Sequence, residues 1–117
     1  MTQYLVQSAH RSNYPNPIAF RQGESLRLGK RDDEYPGWVW TTTTDGNQGW
    51  APLALMVVDS DGVQAQASED YTAWELNTEV GERVRLQREL IDWGWVVRAD
   101  GEAGWVPLAT LQRVADP

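Results

Sequence analysis

Few side chains of this sequence could carry out covalent or acid–base chemistry. It contains one histidine, His10, and no cysteine, so thiolate catalysis, disulfides and cysteine metal sites are excluded. A histidine acts as a catalytic base only when the fold brings a nucleophile and an orienting acid to it. No phosphate-binding glycine loop or metalloprotease motif accompanies it. We therefore expect a protein that is not an enzyme, with no cofactor and no metal site.

Tryptophan is the residue type that stands out instead. The chain has seven tryptophans and one phenylalanine, and each indole brings a large apolar area together with an N–H that needs a partner. Side chains of this kind suit either the core of a small domain or a groove that binds a ligand. The spacing of the tryptophans along the sequence indicates which strands must position them.

The tryptophans belong to an internal repeat. Trp38 and Trp40 precede Gly49 by eleven and nine residues, and a second W-x-W precedes Gly104 by the same two distances. The segment GNQGWAPLAL, which ends at Leu55, matches GEAGWVPLATL, and a Gly-Glu pair stands before each W-x-W. We therefore divide the chain into a first repeat, residues 1–58, and a second repeat, residues 63–117, with a short linker at 59–62.

Each repeat reads as short strands. Apolar and polar residues alternate around Leu26 and around Val84, which is the period of a half-buried strand. The Asp-Gly pairs at 45–46 and 100–101 predict two-residue type I′ hairpin turns after each W-x-W. No segment has the pattern of an amphipathic helix, and prolines interrupt the chain. The predicted fold class is all-β.

The ordered motifs resemble those of SH3 domains. In the second repeat, residues 67–71 resemble the ALYDY element, Gly81-Glu82 resembles the Gly-Glu segment, and residues 104–107 resemble the G-x-Φ-P motif. The first repeat matches less fully, with Ala9-His10 in place of the ALYDY element. The chain is similar to variant bacterial SH3 tandems, which implies two tandem SH3-like five-stranded β-barrels.

Two departures from the SH3 pattern affect the binding groove. The family's adjacent tryptophan pair is replaced by W-x-W, whose two indoles face the same side of a strand. Counting from the hairpin places Val39 and Gly94 at the usual groove position, unless a bulge returns Trp38 and Trp93 to it. The tyrosine that follows the family's proline is missing from both repeats.

By this resemblance, an aromatic groove with an acidic edge would bind an extended peptide. We expect Trp105 and one of Trp93 or Trp95 to form its walls, because alternation turns Trp50 and Trp105 outward, beside the inward residues Ala51 and Val106. The alternative is that these aromatic side chains complete a small core. The candidate ligand-binding residues are Tyr71, Trp93, Trp95, Trp105, Pro107, Glu69, Asp70 and Glu75 in the second repeat, and His10, Tyr14, Trp38, Trp40, Trp50 and Pro52 in the first.

Charge limits the partners. The net charge is −7, and residues 59–117 carry the whole excess, which disfavours nucleic acid and favours a basic partner. No apolar run could span a membrane and no signal sequence is recognised, so we expect a cytoplasmic protein. The sequence leaves the oligomeric state open, and we favour a monomer. The expected function is an adaptor or regulatory module that binds a partner protein or an extended, basic or proline-rich peptide. Two alternatives remain, a wall- or glycan-binding SH3b-type targeting module and a purely structural tandem.

Overall fold

The protein folds into β-strands. The computed structural model describes residues 2–13 and 15–114, and the elements in this part of the chain are strands and two short 3-10 turns. The predicted all-β class is therefore confirmed. Among the described residues, no helix is long and apolar enough to cross a membrane.

The strands in chain order are β1 (Thr2–Val6), β2 (Ala19–Phe20), β3 (Ser25–Arg31), β4 (Trp38–Thr42), β5 (Gln48–Pro52), β6 (Met56–Val58), β7 (Gln64–Ala67), β8 (Tyr71–Thr72), β9 (Arg83–Leu90), β10 (Trp93–Val97), β11 (Ala103–Pro107) and β12 (Leu111–Arg113). The 3-10 turns, Leu53–Leu55 and Leu108–Thr110, precede β6 and β12.

Ten of these strands form two five-stranded antiparallel sheets with the same internal order. One runs β11-β10-β9-β1-β12 and the other β5-β4-β3-β7-β6, while β2 and β8 pair separately. In each sheet the first and the last strand of this order do not pair with each other, so each sheet has two edge strands. The closed five-stranded barrels that the sequence predicted are thus not confirmed in the described part of the chain.

The first strands of the two repeats are exchanged. β1, from the first repeat, lies between β9 and β12 of the second, and β7, from the second repeat, lies between β3 and β6 of the first. The chain accordingly divides into two compact units. We call Met1–Pro15 with Trp74–Pro117 the split unit, and Asn16–Ala73 the continuous unit.

This division differs from the predicted boundary at 59–62. There the chain makes a turn between β6 and β7, which pair with each other, and the Asp59 N–H donates to the Gln64 carbonyl at 2.8 Å. The chain passes between units at 15–16 and at 73–74 instead. Along the sequence, the continuous unit is inserted between the two segments of the split unit, so the units are not consecutive.

β1 and β7 occupy equivalent places in their sheets. The Val6 N–H donates to the Glu82 carbonyl, and in the same way the Ala67 N–H donates to the Glu24 carbonyl, both at 2.9 Å. Tyr4 lies opposite Val84 on β9, as Ala65 lies opposite Leu26 on β3. Backbone pairing therefore does not distinguish the two strands, and the side chains must do so.

Side-chain volume explains the exchange. β1 brings the large residues Tyr4 and Val6 into the split unit, whereas β7 brings the buried alanines Ala65 and Ala67 into the continuous unit. The sheet that β7 joins has larger core side chains than the sheet that β1 joins. The continuous unit carries Phe20, Leu26 and Val39 where the split unit carries Thr78, Val84 and Gly94. Large strand residues thus meet a small core and small ones a large core, as close packing requires.

The Asp-Gly hairpins are present, but their turn type differs from the prediction. The Gly46 N–H donates to the Thr43 carbonyl and the Thr43 N–H to the Asn47 carbonyl, each at 3.0 Å. Gly46 has a φ of 86° and Gly101 a φ of 95°, whereas neither preceding aspartate has a positive φ. A type I′ turn requires positive φ at both central residues, so these are longer loops of the type I plus glycine-bulge kind.

Two turn aspartates make the continuous unit sensitive to acid. Backbone N–H groups of Val63 and Gln64 donate to Asp61 and lower its pKa, and the Thr43 hydroxyl does the same for Asp45. A carboxyl whose pKa is lowered by folding stabilises the fold above its unfolded pKa of about 3.9, and this contribution is lost as the pH falls through the folded value.

Asp61→Asn should therefore flatten the acid limb of the stability profile. Asparagine keeps an acceptor oxygen but does not titrate in this range. Urea midpoints measured between about pH 6 and pH 2.5 should fall less steeply in the variant than in the parent. Ser60→Asn, in the same exposed turn, is the control and should keep the parent's slope. Equal slopes for Asp61→Asn and the parent would contradict the prediction.

Candidate functional site

The second W-x-W places its indoles on the outer face of the split-unit sheet. Gly94 and Val96 point into the core and are buried, while Trp93 and Trp95 are half-buried. Across the β10–β11 hairpin, Trp93 lies opposite Pro107. Directly opposed residues share a face of the sheet, so Trp93 and Pro107 lie side by side on this face.

Trp95 and Trp105 are the second opposed pair on this face. Their rings lie edge to face, with centroids 5.3 Å apart and an interplanar angle of 73°. This geometry is a favourable arrangement for aromatic pairs. The contact with the Trp105 ring therefore fixes the orientation of the Trp95 ring.

His10 and Glu75 extend the face on one side. The His10 ring meets Trp93 edge to face at 5.7 Å, and its Nε2 lies 2.7 Å from Oε1 of Glu75. The two side chains are 15% and 10% exposed. His10 is positioned by backbone hydrogen bonds with Thr78 in both directions. The split-unit face, as we name it, therefore consists of His10, Glu75, Trp93, Trp95, Trp105 and Pro107.

Trp105 is not the exposed wall that alternation predicted. It has the expected orientation, but only 7% of its surface is exposed. Its backbone pairs with the segment before β9: the Trp105 N–H donates to the Trp74 carbonyl at 2.9 Å, and the Leu76 N–H donates to the Trp105 carbonyl at 3.1 Å. Strand alternation gives the face of a residue and not what lies over it, which is why the exposure was missed.

On the continuous unit, Trp38, Trp40 and Trp50 form a similar face, the continuous-unit face, and Pro52 beside them is fully buried. Trp38 lies opposite Pro52, and Trp40 meets Trp50 edge to face at 5.3 Å. Val39 is fully buried, so it does not occupy a groove. The irregularities in strand register lie on β3 and β9 and not within either W-x-W. The indoles reach the outer face through alternation alone.

The predicted second-repeat site is divided between the two units. Glu69, Asp70 and Tyr71 belong to the continuous unit, whereas Glu75 and the second W-x-W belong to the split unit. Tyr71 is buried against Phe20, with ring centroids 5.4 Å apart. Asp70 accepts the backbone N–H of Gln22 at 2.8 Å. Tyr14 lies outside the described residues.

Two exposed apolar residues of the split unit were not predicted as site residues. Trp74 is 52% exposed and Ile91 is 36% exposed. Trp74 stands directly before Glu75, which is the signal that could have identified it. Ile91 lies in the turn between β9 and β10 and has no motif to mark it.

Trp74 borders a cleft with several carboxylates. The cleft has a volume of about 440 Å³, and its polar lining includes Glu79, Glu82 and Glu102. Arg98 neutralises part of this charge, because its Nε lies 2.9 Å from Glu82 and its guanidinium also reaches Glu102 at 3.3 Å. The hydrogen bond that Arg98 donates to the Glu82 carboxylate is the main cause that raises the pKa of Arg98. These carboxylates therefore stabilise the unit and are not a free acidic surface.

The exchange of strands also redistributes the charge. Residues 16–73 contain four Lys and Arg residues and nine Asp and Glu residues, whereas the split unit contains six and eight. The acidic excess, assigned to residues 59–117 by position along the chain, thus falls mainly on the continuous unit. The continuous unit therefore carries the more negative net charge of the two.

The two antiparallel five-stranded sheets have the same order, and in each a W-x-W lies opposite a proline across a hairpin. Residues 4–59 match the family model described as variant SH3 domain. This match covers the first repeat, whose residues lie in both units. No curated protein and no solved structure matches the chain. SH3-like domains generally act as protein-interaction modules and bind protein or peptide partners.

Proposed function

We propose that this protein is an adaptor or regulatory module that binds an extended peptide through the split-unit face. The observation that carries the proposal is the convergence of His10 from the first repeat with Trp93 and Glu75 from the second, at 5.7 Å and 2.7 Å from the His10 ring and its Nε2. Residues so distant in sequence form one surface with aromatic and anionic parts. A surface of this composition suits a peptide with apolar and basic side chains.

The contacts of His10 favour recognition over catalysis. Its ring is held between the carboxylate of Glu75 and the edge contact with Trp93. Both contacts fix the orientation of the imidazole and build the wall of the face. A ligand side chain lying against this wall would contact the indole and approach the carboxylate together.

The test compares matched tryptophan variants of the full chain. Trp93→Ala should lower affinity for the best of a panel of proline- and arginine-containing peptides about 30-fold, as expected for a central aromatic anchor worth about 2 kcal/mol. Trp38→Ala changes the equivalent residue of the continuous unit and serves as the control. Affinity is measured by titration calorimetry, with circular dichroism to verify folding.

Glu75→Gln separates charge from shape in the same experiment. Glutamine keeps an acceptor beside His10 but removes the negative charge, so arginine-containing peptides should bind more slowly and with a weaker salt dependence. Neutral peptides should be unaffected. If a folded Trp93→Ala variant binds as tightly as the parent, the split-unit face is not the binding site. Binding of a cell-wall saccharide in place of every peptide would instead support a glycan-targeting module.

A further inference from the structure

The turn between β9 and β10 holds an unusual backbone conformation. Ile91 has a φ of 48°, and it is the one non-glycine residue with positive φ within residues 2–13 and 15–114. Trp93 pairs with Leu90, so Ile91 and Asp92 form a two-residue loop. Such loops favour asparagine and glycine. A β-branched residue is a genuine outlier in this region and strains the backbone.

Burial does not explain why isoleucine occupies this position. The side chain is 36% exposed, so the turn keeps an apolar group in contact with solvent while straining the backbone. Strain of this kind persists where the surrounding structure enforces it, and it is concentrated at functional sites. The position of the turn indicates which site this is.

Backbone hydrogen bonds fix the turn to one end of the split-unit face. The Trp93 N–H donates to the Ile91 carbonyl, and the Leu108 N–H donates to the Asp92 carbonyl at 2.9 Å. Leu108 follows Pro107, which lies opposite Trp93. Ile91 therefore stands beside the Trp93–Pro107 pair.

The equivalent loop of the continuous unit has different chemistry. It comprises residues 32–37 and contains three consecutive carboxylates, and the backbone N–H groups of Glu34 and Tyr35 donate to Asp32 at 2.8 and 2.9 Å. Three carboxylates and the exposed Tyr35 border the continuous-unit face, whereas Ile91 and a single carboxylate, Asp92, border the split-unit face. The two faces therefore differ in the ligand side chain that this edge can accept.

We propose that Ile91 is a specificity residue that contacts an apolar side chain of the bound peptide next to Trp93. This inference rests on the proposed function and extends it, because it names the chemistry of one ligand position. The strained turn is retained because asparagine or glycine would relax the backbone but remove the contact. A substitution that relaxes the backbone at residue 91 should therefore raise the stability of the protein and lower its affinity for the peptide.

The experiment uses Ile91→Asn and Ile91→Gly in the full chain. Both substitutions should raise the Tm of the split unit by roughly 5 °C, because each residue tolerates positive φ. The probes are proline- and arginine-containing peptides in which one position at a time is varied. Each peptide is made with leucine and with serine at the varied position. Ile91→Asn should weaken binding of the best leucine peptide about tenfold and of its serine version less than about twofold.

Val80→Asn is the matched control, since Val80 is an apolar residue of the same unit that is 66% exposed. It should leave the affinity for both peptide versions unchanged. If Ile91→Asn and Ile91→Gly do not raise the Tm, the turn is not strained and the inference is overturned. If Ile91→Asn weakens binding of the leucine and serine peptides equally, Ile91 does not contact the varied ligand side chain. If Trp93→Ala weakens binding and Ile91→Asn does not, the inference about Ile91 is wrong but the proposed function stands. A parent protein that binds no peptide would overturn both proposals.

Discussion

Residues 16–73, produced as a separate fragment, should fold cooperatively, whereas the two sequence repeats, 1–58 and 63–117, should be unfolded or far less stable. The fragment contains every strand of the β5-β4-β3-β7-β6 sheet. Its ends are held close together, because the Ala73 N–H donates to the Ile18 carbonyl at 2.8 Å. It therefore needs no contribution from the remaining residues to complete its sheet.

Neither repeat contains the complete set of strands of one sheet. The first strand of each repeat pairs in the sheet of the other repeat. Residues 1–58 would place Tyr4 and Val6 where Ala65 and Ala67 fit, and overpacking of this kind costs about 1–3 kcal/mol per site. Residues 63–117 would leave cavities in their place, at about 2–5 kcal/mol for each large side chain removed. Domains of this size have a total stability near the lower end of about 5–15 kcal/mol.

Thermal melts followed by circular dichroism and tryptophan fluorescence test this expectation. A chain in which residues 16–73 are replaced by a short glycine-serine linker between Pro15 and Trp74 should also fold, because it keeps all of β1, β9, β10, β11 and β12. If fragments 1–58 and 63–117 melt cooperatively at higher temperatures than 16–73, the strands are not exchanged.

The second large effect is expected from Gly104→Ala. A Cβ at Gly104 would lie 2.8 Å from the backbone nitrogen of Leu76 and 3.0 Å from the Leu76 Cβ and from Cδ1 of Trp74. Backbone cannot move aside as a side chain can, so the segment at 74–76 must shift. We expect destabilisation of about 3 kcal/mol, within the range for overpacked positions. Because Glu75 lies in this segment, peptide binding should be lost as well.

Gly49→Ala provides a matched control at the equivalent position of the continuous unit. Its closest contacts would be side-chain carbons of Ile18 at 3.1 and 3.2 Å, and the Ile18 backbone nitrogen would lie at an ordinary contact distance of 4.0 Å, so a small displacement relieves the contact. A loss of about 1 kcal/mol is expected. Urea unfolding of both variants measures the difference, and an equal or larger loss for Gly49→Ala would contradict the close approach at Gly104.

Local pattern was sufficient to predict the all-β class and the side of the strand on which the indoles of each W-x-W lie. Alternation alone places Trp93 and Trp95 outward and Val96 inward, since successive side chains of a strand point to opposite sides. The Asp-Gly hairpin then brings β11 beside β10 and sets Trp105 opposite Trp95. These relationships involve residues close in sequence, so a pattern can express them.

The exchange of β1 and β7 could not be read in the same way. Both strands alternate, and both make equivalent backbone hydrogen bonds through Val6 and Ala67, so periodicity is compatible with either pairing. The choice depends on how the volumes of Tyr4 and Ala65 fit two different cores, which is a property of three-dimensional packing.

The exchange also determines the order in which the protein can fold as it is synthesised. The partners of β1 are β9 and β12, which leave the ribosome only after the whole of residues 16–73. The continuous unit can complete its sheet first, while Thr2–Val6 waits with its backbone groups unpaired. Pairings between residues so far apart in sequence form slowly and leave apolar strand edges open to aggregation. Refolding of the full chain should therefore show a fast phase for the continuous unit and a slower one for the split unit.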